Sequence, residues 1–543
     1  MEENNNLFKR KLNLLPYFML ALILCGVLYV RLRLIHVPLE RDEGEYAYMG
    51  QLMLKGMPPY VNAYTMKLPG VSAMYALFMT FFGQTVAGIH LGLLVANGIC
   101  IFLTYLLACR LMGKEAAVIS CASYAVLSLS NSVLGVFAHA THFVVLFSLS
   151  GFVLLLRYID KGRKATLFTS AICFGFAFIM KQHAALLIIF ALFYLLWQSW
   201  KNITIGKYGR LAELGVFLFG ITIPYALVIL YVASAGGFDK FWFWTVRYAR
   251  AYVSEITFAQ GWNYFYTNFR AIVIFQLPIW LMAGIGGLFL FLKRTNGSDK
   301  VFLFGFFLSS LLAVCPGWYF RPHYFVMLLP AVALMAGAIM HPVGYLLSAT
   351  KSLALKPIAI ALLLASIAVY TYYHEKNYYY YYSPALVSRA IYSLSPFPEA
   401  MVVARYIKEH TSPNDRIAVL GSEPEIFFYA DRLSASKHIY MYGLTENQRY
   451  ATEMQQEFIH DIEATKPKYI VMVNIVSSWI ASTMSQGVLV DWSETYAKEH
   501  YEIVGVIDIL NYINTQYRWD EDAKGYKPVA DNFLTVLKRK EGI

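Results

Sequence analysis

The stretch 39-LERDEGEYAYMGQLMLKGMPPYVNAYTMKLPG-70 decides the fold. It follows directly on the first long apolar run, residues 14–34, and places two adjacent carboxylates, Asp42 and Glu43, a few residues beyond the end of that run, with Tyr46, Tyr60 and Lys67 after them. An apolar run of about 20 residues is what a helix needs to cross the hydrocarbon core. Ionisable groups that close to a bilayer are costly unless they face a cavity or a partner. Two readings of the stretch are open. Asp42 and Glu45 have the spacing of a helix capping box, and Gly56 suits the position just past a helix end. Alternatively, the carboxylates belong to a polar site at the membrane surface.

The rest of the chain supports the membrane setting. Of its 543 residues 58% are hydrophobic and 15% charged, against roughly 25% charged in a soluble domain. We therefore expect a polytopic α-helical membrane protein with about eleven spans. They run over 14–34, 87–112, 115–133, 139–157, 165–180, 184–200, 211–235, 271–292, 300–317, 323–341 and 354–373, with 71–83 as a shorter apolar piece lying along the interface. Lys9, Arg10 and Lys11 ahead of an apolar run imitate a signal peptide, but no small-residue cleavage site follows, so the run is read as an uncleaved first span. The six cysteines all lie in apolar segments and lack zinc or disulfide spacing, which makes them core residues.

The net charge of +11 does not point to nucleic acid, because the basic residues collect in short loops between spans. With a cytoplasmic N-terminus the inner loops carry Arg110 and Lys114; Arg157, Lys161, Arg163 and Lys164; Lys201, Lys207 and Arg210; Lys293, Arg294 and Lys300; and Lys351 and Lys356. That is the positive-inside pattern at every turn. An odd number of spans then puts the chain after about residue 375 outside. We expect a membrane domain over 1–375, with its first outer loop at 35–86, and an extracytoplasmic domain over 376–543. In the latter, amphipathic stretches ("EAMVVARYIKEH", "FIHDIEATK") alternate with β-branched runs ("RIAVLG", "KYIVMV", "YEIVGVIDI", "FLTVLKR"), the sign of an α/β layer. Between the domains, "HEKNYYYYYSP" reads as an aromatic belt at the membrane surface.

On this topology the conspicuous polar groups share the outer face: Asp42, Glu43 and Lys67 in the first loop; His139 and His142 at the start of a span; Lys181 and His183 between two spans; Arg321 and His323 before another. One outer cavity accounts for all of them. The bland alternatives are snorkelling for Lys181 and interface hydrogen bonding for the histidines. His139 and His142, three apart on one helical face, also offer a pair of metal ligands, so a divalent metal is possible although no metal set is assigned. Arg247, Arg250 and Arg270 alternate with Trp and Tyr in an outer segment suited to the interface, either anchoring or roofing the cavity.

With these residues in hand, the chain resembles the GT-C fold glycosyltransferases, and among them the dolichyl-phosphate-mannose protein mannosyltransferases and the lipid A aminoarabinose transferases. The resemblance rests on "RDEGEYAYMGQLMLKGMPPY" after span one, a following "MKLPG", a later "RPHYF" and the outer α/β tail. Relatives often have Lys-Pro-Pro where this chain has Lys67-Leu68-Pro69. The resemblance implies a polyprenyl-phosphate sugar donor, a hexosyl or pentosyl group delivered with inversion on the extracytoplasmic face, and an acceptor that is a glycan, lipid or protein. It makes Asp42 the catalytic carboxylate and Glu43 its neighbour, and puts Lys67 and Arg321 near the donor phosphate. Tyr46, Tyr60, His139, His142, Lys181, His183, His323 and Arg247 are the further cavity candidates. Chemistry agrees: an attacking hydroxyl needs a positioned base, whereas a phosphate leaving group needs fixed positive charge. The rival reading is a transporter or flippase of lipid-linked sugars. The chain lacks the two related halves of many such transporters and keeps its ionisable groups at one surface.

Overall fold

The computed structural model describes residues 2–202, 206–292, 297–348, 355–479 and 487–542. Lys293, Arg294 and Lys351 of the expected inner loops lie outside the described residues.

Among the described residues eight helices are long and apolar enough to cross a membrane: Leu12–Arg33, Val86–Met112, Ala140–Lys161, Gln182–Lys201, Lys207–Ser234, Gly297–Val314, Leu329–Leu347 and Leu355–Tyr381. The expected span 271–292 belongs to a bent pair, Phe258–Phe275 and Leu277–Leu292, which meet at 98°. The side chain of Gln276 fills the break, donating to Glu375 (3.3 Å) and accepting from Thr371 (2.9 Å). The two remaining expected spans are shorter helices. Lys164–Met180 has 17 residues, and Lys114–Leu127 has 14, with all of 116–127 buried. A helix wrapped by its neighbours needs no lipid-facing length. The apolar piece at 71–83 is the helix Gly70–Phe82, which buries Val71, Tyr75, Phe78 and Met79 and exposes Leu77, Phe81 and Phe82.

The two ends of the bundle differ. At one end Arg110 bonds Asp160 twice (2.7 and 2.8 Å) and Asp299 once (3.1 Å), and Lys356 pairs with Glu115 (2.7 Å). The loops expected to be cytoplasmic are thus tied together. The other end carries the first loop and a six-stranded sheet: β1 (Arg416–Leu420), β2 (Leu433–Ser434), β3 (Tyr469–Asn474), β4 (Tyr501–Ile509), β5 (Thr515–Trp519) and β6 (Phe533–Arg539), in the order β2-β1-β3-β6-β4-β5. β1 is parallel to both its neighbours and the other pairings are antiparallel. Four of these strands match the β-branched runs. β2 is too short to show a pattern, and β5, "TQYRW", is a polar edge strand. The tyrosine run departs from a plain surface belt: Tyr378 and Tyr379 pack inward beside Val30 and Phe137, whereas Tyr381 is exposed.

The first-loop helix Arg41–Leu54 lies directly on the sheet domain. Gly44 allows this, since a Cβ there would sit 2.6 Å from the backbone nitrogen of Glu425. Arg41 bonds the Ser422 carbonyl (2.8 Å) and Glu423 (3.1 Å), and Tyr48 OH accepts the Ser434 N–H (2.8 Å). Tyr64 N–H reaches the Lys437 carbonyl (2.8 Å), and Glu457 receives both Tyr64 OH (2.9 Å) and Lys240 (3.0 Å). Loop and sheet are therefore one built surface.

Candidate functional site

The helix Arg41–Leu54 is capped by Glu40, not Asp42. Glu40 accepts the Glu43 N–H (2.9 Å), and Glu43 reciprocates on the Glu40 N–H (3.3 Å). The capping reading of Asp42 and Glu45 is thereby displaced by two residues, and both are left for other work. Gly56, at φ +75°, does follow the helix end. Glu43 is fully buried and also takes the Ala138 N–H (2.6 Å) and meets His90 Nε2 at 3.2 Å. It pins the first loop to the turn before His139 and does not line the cavity described below.

Asp42 and Glu45, almost one turn apart on the helix, converge on Lys67, whose Nζ lies 2.5 Å from Asp42 Oδ1 and 2.6 Å from Glu45 Oε2. Lys67 also stands 4.6 Å above the Tyr46 ring. Its position is set by the backbone: its carbonyl accepts Tyr60 OH (2.6 Å) and its N–H meets Thr65 Oγ1 (3.1 Å). Tyr60 is thus a buried support and not part of the cavity wall, contrary to expectation. Burial pushes the Asp42 carboxyl upward, but Lys67, with His139 and Arg321 behind it, more than offsets this and holds it well below the usual carboxylate range.

These groups open into a cavity of about 670 Å³. Asp42, Glu45, Tyr46 and Lys67 form one wall, and Lys181, His183, Arg321, His323 and Tyr324 form another. Tyr440, Tyr442 and Glu446 from the sheet domain close it, together with Tyr248, Arg250 and Tyr252. Lys181 Nζ sits 3.7 Å over the Tyr324 ring, and Arg321 bonds Tyr252 OH at 3.4 Å while lying over Tyr319. Among the described residues neither cation is paired with a carboxylate, whereas Lys67 already holds two. Burial lowers the Lys181 ammonium to about 7, against a smaller raising effect of Asp42. His183 lines the cavity with Nδ1 2.8 Å from the Ala313 carbonyl.

Besides Tyr60, three more expected cavity residues fall elsewhere. His142 is buried within Ala140–Lys161 and does not line the cavity; Arg247 is exposed and Arg250 lines in its place; His139 stands behind the wall, its ring stacked 4.0 Å from that of His323. The histidine pair at one site is therefore His139 and His323, not His139 and His142. With Asp42 they offer three ligand atoms within 4.8 Å of one another, and both ring nitrogens of His139 lack a hydrogen-bond partner among the described residues. One carboxylate and two imidazoles form a donor set that suits a divalent ion such as zinc. Sequence reasoning missed Glu45, hidden as a supposed cap, and the whole contribution of residues 438–446. In the second case no motif gave a signal.

A family model described as dolichyl-phosphate-mannose-protein mannosyltransferase matches residues 66–228. An undecaprenyl phosphate-alpha-4-amino-4-deoxy-L-arabinose arabinosyl transferase of Pseudomonas aeruginosa is 29% identical over 272 residues, covering 47% of each chain, and its counterpart in Pseudomonas paraeruginosa gives the same figures. The chain spans about half the length of the curated relatives it matches. Among solved structures, ArnT from Cupriavidus metallidurans bound to undecaprenyl phosphate superposes with a TM-score of 0.59 at 14% identity, over 96% of this chain and 97% of that one. Archaeal oligosaccharyltransferase AglB from Archaeoglobus fulgidus, in complex with an inhibitory peptide and a dolichol-phosphate, gives 0.51 at 15% identity, over 93% and 74%. The chain is a multi-pass integral membrane protein with a C-terminal sheet domain. Its fold is the GT-C fold of membrane glycosyltransferases. The relatives named here are transferases, not transporters.

Proposed function

We propose that the protein is a glycosyltransferase that moves a sugar from a polyprenyl-phosphate donor to an acceptor hydroxyl or amine, with inversion, on the extracytoplasmic face. The observation that carries this reading is a single cavity holding a carboxylate, Asp42, bonded to Lys67, and two cations, Lys181 and Arg321, that have no carboxylate partner among the described residues. Relatives that use undecaprenyl phosphate or dolichyl-phosphate-mannose support the donor class.

In this reading Asp42 is the base. The acceptor oxygen or nitrogen bonds to the anomeric carbon as the bond from that carbon to the phosphate oxygen breaks, and Asp42 takes the acceptor's proton. Inversion places the base across the ring from the leaving group. The phosphate departs as an anion and needs no acid, only charge fixed before the reaction, which Lys181 and Arg321 supply. Lys67 is reassigned. Bonded to Asp42 and Glu45, it holds the base ionised and oriented and leaves the phosphate to the other two cations. A divalent ion at Asp42, His139 and His323 would add positive charge beside the same reacting centre. The division of labour follows the two parts of the chain: 1–375 carries base and cations, and 376–543 closes the cavity outside, with the N-terminus cytoplasmic in a plasma or inner membrane.

The decisive experiment replaces Asp42 by Asn in the purified protein with a polyprenyl-phosphate sugar. Transfer should fall by roughly 10²–10⁴ while donor binding stays near wild type. A variant that transfers normally would remove Asp42 from the chemistry.

A further inference from the structure

A second concavity, of about 400 Å³, lies on the sheet domain and is lined by Glu463, Lys466, Trp492, Thr495, Tyr496, Glu499, His500 and Arg539. It belongs to the other end of the sheet from the catalytic cavity. β1 and β3 run parallel, so Arg416 and Tyr469 begin both strands at one end; the groove residues Lys466 and Arg539 flank that end, whereas Ser422 and Glu423, which receive Arg41, follow β1 at the other.

The sequence builds the groove from one helix face. Trp492, Tyr496 and His500 recur every fourth residue on the helix Gly487–His500, so their rings stand in a ladder. Trp492 stacks on Tyr496 at 5.0 Å and 18°, and the Tyr496 and His500 rings are 4.6 Å apart. Part of this ladder is core: Tyr496 is buried against the cluster that contains Phe458 and Tyr501. Trp492 is only half-buried, and its indole N–H is already bonded to Glu463 (2.8 Å), which fixes the ring plane along the groove. Arg539 is held by Tyr496 OH (3.5 Å) and Tyr501 OH (3.4 Å). The Nδ1 atom of His500 is buried without a partner.

Two carboxylates, Glu463 and Glu499, alternate with two cations, Lys466 and Arg539. A strongly anionic or cationic ligand meets a like charge on either course, so the groove favours a neutral ligand rich in both donors and acceptors. The half-buried Trp492 ring receives the C–H face of such a ligand, and the charged groups around it receive its hydroxyls. The volume lies within the ~300–1,000 Å³ typical of ligand sites. We propose that this groove is a second, non-catalytic binding site for a neutral saccharide chain, separate from the donor and acceptor cavity. It would hold a glycan near the enzyme without reacting with it, raising the effective concentration of any attached group.

The test uses the full chain in nanodiscs, because sugar-headed detergents would compete. Neutral trisaccharides (maltotriose, mannotriose and tri-N-acetylchitotriose) are titrated by saturation-transfer NMR and by Trp fluorescence. At least one should bind in the millimolar range or better. Trp492→Ala should weaken it about tenfold or more, and Glu499→Ala, at an exposed position, should weaken it measurably with the fold intact by circular dichroism. Saturating polyprenyl phosphate, which fills the catalytic cavity on the proposed reading, should leave this binding unchanged, which keeps the result separate from the catalytic reading. Absence of binding by all three sugars, or binding insensitive to both groove substitutions, overturns the proposal.

Discussion

Lys181 gives the proposed donor site a testable pH dependence. Its ammonium faces the cavity over Tyr324 with no carboxylate partner among the described residues, and burial lowers it to about 7 in the free protein. A cation with a lowered pKa is charged below that value and loses its charge as the pH rises through it. A phosphate bound beside it favours the charged form, so binding takes up a proton and affinity falls above about pH 7. Between about pH 6.5 and about pH 8.5 the charged fraction drops from about three quarters to about 3%, which predicts an affinity loss of up to about 25-fold. A sugar phosphodiester carries one negative charge throughout this window, so the slope belongs to the protein. Lys181→Gln removes a hydrogen bond between charged groups, worth about 1.5–3 kcal/mol, and should weaken binding by roughly 10- to 150-fold at about pH 6.5 while flattening the slope. The assay is calorimetric titration of a non-transferable polyprenyl phosphodiester into wild type and variant, with proton uptake read from two buffers of different ionisation enthalpy. A flat wild-type profile, or a Gln variant that keeps the slope, would refute the assignment of the phosphate to Lys181.

Glu43→Ala should destabilise the protein by about 3–5 kcal/mol, because it leaves His90, the Ala138 N–H and the start of the helix Arg41–Leu54 without their buried partner; thermal unfolding of the detergent-solubilised protein measures it, and a stable but inactive variant would contradict a structural role. Arg41→Ala and Glu423→Ala should each loosen the contact between first loop and sheet domain, and a double-mutant cycle on proteolytic release of residues 376–543 should show positive coupling. For topology, in a cysteine-free background Gln84→Cys and Lys437→Cys should react with an impermeant maleimide in intact cells and Arg163→Cys only after permeabilisation; the reverse pattern would invert the proposed orientation.

What the sequence disclosed and what it hid have separable causes. The carboxylate after the first span, the lysine in its "MKLPG" and the cations between later spans were legible because topology alone places them on one face. The capping box was misplaced because Glu is not among the preferred N-cap residues, so Asp42 drew the assignment. Glu40 serves because Glu43 reciprocates in a buried setting. Arg250, not Arg247, faces the cavity because residues 243–248 form a π-helical turn, which adds a residue and resets the phase that a helical period assumes. The pairing of His139 with His323 joins residues 184 apart, and the closing of the cavity by 438–446 joins two parts of the chain. Neither depends on local spacing.

On the proposed mechanism the same geometry separates the two functions of the cavity by pH. Asp42 is bonded to Lys67 at 2.5 Å and held well below the ordinary carboxylate range, so it is ionised around neutral pH. Proton acceptance therefore sets no limb of the profile near neutrality, and turnover at saturating donor should be level from about pH 6 upward. Lys181 titrates near 7 only while the cavity lacks an anion, so its loss of charge is felt in the free enzyme alone. The alkaline limb should accordingly appear in kcat/KM and be absent from kcat. If Lys67 were the phosphate ligand instead, its pKa, raised by Asp42 and Glu45 although burial lowers it, would put that limb far above neutrality. A limb near pH 7 in kcat/KM that survives conservative changes at Lys67 and disappears with Lys181→Gln would assign the two lysines their different roles. A limb that moves with Lys67 would exchange them.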